Sequence, residues 1–162
     1  MSERAEAIAT ELIEVTDEAL ELGEGLTEQQ WALSCGPDIR SVGQVIHHVG
    51  DWLRMGVEWV NLGCVGDPIE VTADVQDAIN AREAAALPEP EKEETLLFVR
   101  ELRDEAVARL RELSDEELAR RTLHVGMNRE LSVEQLAAMA VRHTRRHIDD
   151  LRRVLSGGAL TA

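Results

Sequence analysis

A chain of 162 residues, 44% of them hydrophobic, is long enough to close one core unaided and short for two domains, so residues 1–162 read as a single domain. Thirty-two acidic residues against 17 basic ones give a formal net charge of -15, which repels nucleic-acid phosphates and anionic membranes and excludes both as default partners. No apolar run approaches the roughly 18 residues of a membrane-spanning helix. The start does not resemble a signal peptide, and Cys35 and Cys64 have no C-x-x-C spacing, so the expected compartment is a reducing cytoplasm.

From Ser2 to about Leu22, the apolar positions Ala5, Ile8, Ala9, Leu12, Val15, Ala19 and Leu22 recur at three- and four-residue intervals and predict an amphipathic helix ended by Gly23 and Gly25. Thr27 caps a short turn running to Trp31, and Gly36-Pro37 marks a loop. Ser41 precedes a second long helix with the stripe Val42, Val45, Val49, Trp52, Gly56 and Val60, stopped between Gly63 and Pro68. A further helix is expected from Asp74 to Leu87, before Pro88 and Pro90, and another from Glu93 to Leu113. Ser114 with Glu117 has the capping-box form, and so does Ser132 with Gln135, which opens the last helix. Between them, Thr122 to Glu130 contains Gly126 and Asn128 and reads as a turn. No strand pattern exceeds a few residues. Four long helices joined by short connections imply an all-α four-helix bundle with short extra helices in the connections.

The last helix carries His143 and His147, four residues apart and so on one face with Cβ atoms about 6 Å apart, close enough to share a metal ion. His147 falls on the inward heptad with Val133, Ala137, Ala140, Thr144, Leu151 and Val154, and His143 lies beside it. A lone inward histidine is usually a satisfied core residue. Two on one face each need a partner, and one ion satisfies both. On the second long helix, His48 lies roughly 90° from the centre of the apolar stripe and His47 roughly 170° away. His48 is therefore the third ligand candidate, His47 is assigned to the solvated surface, and His124, in the expected turn, is assigned there too.

Three neutral imidazoles leave a divalent ion with open positions, as in catalytic zinc sites. Such an ion can activate a water or a thiol. Asp51 and Asp150, three residues beyond His48 and His147, are candidates to orient the rings, although a solvated acidic residue is the plainer reading of each. Arg142, Arg145 and Arg146 form a basic cluster able to attract a carboxylate on a small molecule, against the simpler account that cations near a helix C-terminus complement its dipole. Neither cysteine has an adjacent base, and both read as inert packing. Trp52 and Trp59 read as core.

Trp31, the Gly36-Pro37 loop, the run from Ser41 to Val49 and the segment His143-Thr144-Arg145-Arg146-His147 together resemble the DinB-like superfamily of metal-binding four-helix proteins, over essentially the whole chain. The resemblance implies a three-histidine site for zinc or nickel at His48, His143 and His147, and a homodimer. It also implies thiol chemistry, because the family includes mycothiol-dependent maleylpyruvate isomerase and bacillithiol transferases. The functional expectation is a metal-dependent transferase, isomerase or hydrolase acting on a small-molecule substrate, with a low-molecular-weight thiol such as mycothiol as cosubstrate. The rivals are a non-catalytic protein with a structural or sensing ion, and a helical adaptor. A fourth protein ligand at the site would favour the structural ion.

Overall fold

The computed structural model describes residues 2–35 and 40–157. The Gly36-Pro37 loop lies outside the described residues. Four long helices, α1 (Glu3–Glu24), α3 (Val42–Val65), α5 (Lys92–Arg111) and α7 (Val133–Leu155), are joined by connections carrying α2 (Glu28–Trp31), α4 (Ala73–Ala86), α6 (Asp115–Ala119) and the strands β1 (Arg121–His124) and β2 (Arg129–Ser132).

The helix starts follow the caps legible in the sequence. Thr27, Ser41, Ser114 and Ser132 each accept from the backbone N–H three residues on, and the Gln30, Gln44, Glu117 and Gln135 side chains return the bond to the cap backbone. Each box satisfies donors that a helix N-terminus otherwise leaves open. At the far end of α3, Gly66 adopts a left-handed φ of 81°, the conformation that closes a helix at little cost only for glycine.

The long helices pack as a ring in the order α1, α5, α3, α7, with α1 and α3 on a diagonal. The chain therefore crosses the bundle between α1 and α3 rather than stepping to an adjacent helix. Leu12, Val15, Ile46, Val49, Leu53, Leu136, Ile148 and Leu151 fill the interior and are essentially solvent-free. Trp31 plugs one end: its Nε1 donates to the Pro90 carbonyl at 2.8 Å, and its ring lies so close to Gly43 that a Cβ there would sit 2.3 Å from Nε1. Gly43→Ala is therefore expected to force the indole aside and cost about 1–3 kcal/mol by overpacking, measured as a lower urea midpoint with an unchanged m-value.

The segment expected to be a turn is a β-hairpin. β1 and β2 pair antiparallel, Arg121 with Ser132 through His124 with Arg129, around a 3-10 turn at Val125–Met127. Thr122 and His124 point inward and Arg121 and Leu123 outward. An alternation over four residues is too short to register against the Gly126 and Asn128 turn signals. Ile69 runs alongside β1, with its N–H on the Leu123 carbonyl at 2.9 Å. As a result His124 is buried, 4% exposed, rather than solvated, and its ring meets Trp59 edge-on at 5.0 Å.

α4 differs from the other helices of its length or longer in burying none of its residues. Polar bonds hold it against the start of α3: Arg40 Nη2 donates to the Asn80 carbonyl at 3.1 Å, and Gln44 Nε2 donates to the Ala84 and Leu87 carbonyls, each at 3.0 Å. Gln44 thus serves two ends, since its Oε1 accepts from Ser41 N–H.

Candidate metal centre

α3 and α7 bring the three predicted histidines together. His48 leaves the buried side of α3 and is 5% exposed, while His143 and His147 line the facing side of α7, half-buried. The ring centroids of His48 lie 5.4 Å from His143 and 5.2 Å from His147, and those of His143 and His147 lie 4.3 Å apart. One nitrogen from each ring lies within 4.8 Å of the other two, and the two Nε2 atoms on α7 are 2.8 Å apart. Two nitrogens each about 2.1 Å from a common ion lie roughly 3–3.5 Å apart at 90–109°, so for the three to share a divalent ion the 2.8 Å pair opens slightly and any pair near the 4.8 Å limit closes. Among the described residues, no carboxylate or thiol joins all three nitrogens within that radius.

The rings are poised as ligands rather than as cations. Burial pushes His48 down to about 3, helped by the charges of Arg40 and His147. His143 falls to about 2 through burial and then the neighbouring His147 and His48. His147 falls to about 4 by burial, against an opposing pull from Asp150. Each therefore offers a lone pair at neutral pH, the form a metal requires. The same shifts predict a pH-dependent stability in metal-free protein. A histidine whose folded pKa is depressed contributes fully above its unfolded value of about 6.5 and loses that contribution as pH falls toward the folded value. Urea midpoints should fall between pH 7.5 and pH 5, and His143→Leu should flatten that fall.

Several neighbours had no signal in the sequence. The Trp52 indole stacks on the His143 ring with centroids 3.7 Å apart and planes 23° from parallel, so it is a clamp on a site ring and not simply core. Trp59 is core, as expected, and meets Trp52 edge-on at 5.5 Å. His47 is not free in solvent: it stacks on Phe98 of α5 at 4.4 Å, and its Nδ1 lies 3.2 Å from Asp51 Oδ2. In a ring of four helices α3 has neighbours on two sides, so the face opposite the stripe centre is also covered. Asp51 is buried rather than solvated, and it pairs with His47 and with Arg54 at 2.7 Å instead of orienting His48. Asp150 pairs with Arg153 at 3.4 Å and Arg146 at 4.0 Å, and acts on His147 only through its charge.

Arg142, Arg145 and Arg146 are exposed on α7. The cation that lines the recess beside His48 is Arg40, with Gln44, Asp51 and Glu83. The Glu83 carboxylate arrives from α4 within 4.8 Å of a His48 nitrogen and an Asp51 oxygen and has no hydrogen bond or ion pair among the described residues. Burial, then Asp51, raises its pKa. The cysteines behave as inert packing: burial, then Asp150, pushes the Cys35 thiol up to about 11, and burial raises Cys64.

The family model of the DinB superfamily matches residues 11–151. The chain belongs to the DinB superfamily. Among solved structures it is similar to YfiT from Bacillus subtilis, described as a probable metal-dependent hydrolase with an unusual four-helix bundle topology, at 20% identity and a TM-score of 0.78, over 98% of this chain and 91% of that one. It is also similar to a mycothiol-dependent maleylpyruvate isomerase, at 17% identity and a TM-score of 0.65. That match covers 93% of this chain and 63% of the isomerase, so the chain spans less than two thirds of that protein's length. At these identities the likeness establishes the DinB-type bundle. Among curated proteins, none matches the chain by sequence.

Proposed function

We propose that this DinB-superfamily chain is a metal-dependent enzyme that holds one divalent ion, zinc or nickel, on His48, His143 and His147 and acts on a small thiol or water with an electrophilic substrate. The observation that carries this reading is the convergence of three uncharged imidazoles with no fourth carboxylate, thiol or imidazole among the described residues in reach of all three. Open coordination is the mark of catalytic sites, whereas structural sites are closed. The two similar structures add support, one described as probably metal-dependent and the other as mycothiol-dependent.

Bound there, the ion would supply Lewis acidity and lower the pKa of a water or thiol. The remaining work falls to the chain. Trp52 fixes the plane of His143 by stacking, and Arg40 places a positive charge beside the cluster. Glu83 offers a half-buried carboxylate on the cleft wall, unpaired among the described residues and suited to accepting or returning a proton. α4, held by polar bonds, covers the recess and limits the entry of water.

The test is a panel of small thiols, mycothiol among them, and water, each set against activated electrophiles with metal-loaded and metal-free protein. Turnover with metal-loaded protein alone is expected. No metal-dependent turnover with any pair, together with a coordinatively closed ion, would overturn the proposal in favour of a structural or sensing role.

A further inference from the structure

Between α3 and α4, immediately beside His48, lies a cleft of about 170 Å³. Its two walls each hold a buried polar atom with no partner among the described residues. On α3 it is Trp52 Nε1, a donor, and on α4 it is Gln76 Oε1, an acceptor. Buried polar groups in folded proteins are nearly always paired, because an unpaired one forfeits its hydration without return. Two complementary orphans on opposite walls of one cleft point to a ligand that pairs both.

We propose that this cleft is a binding subsite for a neutral secondary amide, whose carbonyl accepts from Trp52 Nε1 and whose N–H donates to Gln76 Oε1. The proposal deepens the functional reading above, and rests on it, by naming the class of group held beside the ion. A trans amide points its N–H and C=O in opposite directions, the arrangement that pairs a donor on one wall with an acceptor on the other. Gln76 is held ready, because its Nε2 donates to Asn80 Oδ1 at 3.1 Å. Met55 and Ile79, with the face of Trp52, give apolar cover for the alkyl groups flanking the amide.

Charge argues against a carboxylate in the same place. Asp51, Glu58 and Glu83 line the cleft with Arg54, and Arg54 is already committed to Asp51 at 2.7 Å. An anionic group would meet net negative walls, whereas an amide loses nothing there. Both atoms are sealed from solvent in this structure, so admission requires a shift of α4, which buries no residue and is tied down through Arg40 and Gln44.

The experiment uses two pairs of probes that differ only by N–H against O. N-ethylacetamide and ethyl acetate carry no thiol; N-acetylcysteamine and 2-sulfanylethyl acetate carry one. Binding to the full chain is followed by NMR shift titration, metal-free and metal-loaded. Wild type should bind each amide about tenfold more tightly than its ester, the effect of one hydrogen bond to an otherwise unpaired buried acceptor. Gln76→Leu should erase that preference, and it lies on a helix with no buried residue, so circular dichroism should not change. Trp52→Phe should weaken amide and ester alike by about tenfold while preserving their ratio, since both share the carbonyl.

Equal binding of amide and ester to wild type, or a preference that survives Gln76→Leu, overturns the subsite. Unchanged affinities in Trp52→Phe overturn its donor half. The two readings fail separately: a thiol-free preference with no metal-dependent thiol effect leaves the subsite standing without the metal reading. Metal-dependent thiol binding that is blind to amide against ester does the reverse.

Discussion

A His143→Ala, His147→Ala double variant is expected to keep its helical circular dichroism and lose its bound divalent metal. Both rings are half-buried, and His147, expected on the inward heptad, lies with His143 beside the buried stripe of α7, where Leu136, Ala140, Thr144, Ile148 and Leu151 make the bundle contacts. The helix should therefore persist. The site should not, because His48 is left as the one nitrogen of three, and in its other grouping, with Asp51 and Glu83, Asp51 is already paired with His47 and Arg54. Removing even an outer partner of a metal ligand costs about 10–100-fold in affinity, so losing two of three ligands should exceed roughly 100-fold. Metal analysis of untagged protein checks the loss, and full occupancy in the variant would remove the site assignment. Wild type should also melt at a higher temperature with metal than without, a difference the double variant should lack, since an ion that binds only the folded state stabilises it by mass action.

His48→Ala is expected to weaken metal binding by a similarly large factor, while His47→Ala leaves it nearly unchanged. The two are adjacent in sequence, yet His48 faces α7 and the other two histidines, whereas His47 faces Phe98 on α5. Their variants should fail in different ways. His47→Ala removes a ring stacked at 4.4 Å and a partner of Asp51, so it should lower stability by about 1 kcal/mol, of the order of an aromatic pair, without emptying the site. Metal affinity by competition with a chromophoric chelator and urea midpoints separate these effects. Equal metal loss in both variants would show that the wrong face of α3 was assigned to the site.

The helices and the three histidines were legible because both rest on local rules. Ser41 with Gln44 and Ser132 with Gln135 mark helix starts within four residues, and His143 with His147 mark one face by spacing alone. His48 followed from the direction of the stripe on its own helix. What was not legible depends on segments far apart in the chain. The burial of His124 requires Ile69 to pair with a four-residue strand, a signal too short to outweigh the Gly and Asn around it. The cover over His47 requires Phe98 from α5, and the clamp on His143 requires Trp52 from α3, which periodicity marks only as apolar. Arg40 and Glu83 reach the recess because Arg40 and Gln44 hold α4 in place, and neither residue stands in a pattern that distinguishes it from a solvated charge. The Arg142, Arg145 and Arg146 cluster shows the converse: conspicuous in sequence, it lies on the exposed side of α7.

An ion on His48, His143 and His147 with a position open to a small thiol is read directly from the absorption spectrum of untagged protein loaded with one equivalent of Co²⁺ and titrated with a thiol. A sulfur-to-cobalt charge-transfer band is expected that saturates at one thiol per ion and is absent from the His143→Ala, His147→Ala variant. A cobalt spectrum indifferent to thiol, or one that responds equally in that variant, would contradict that assignment.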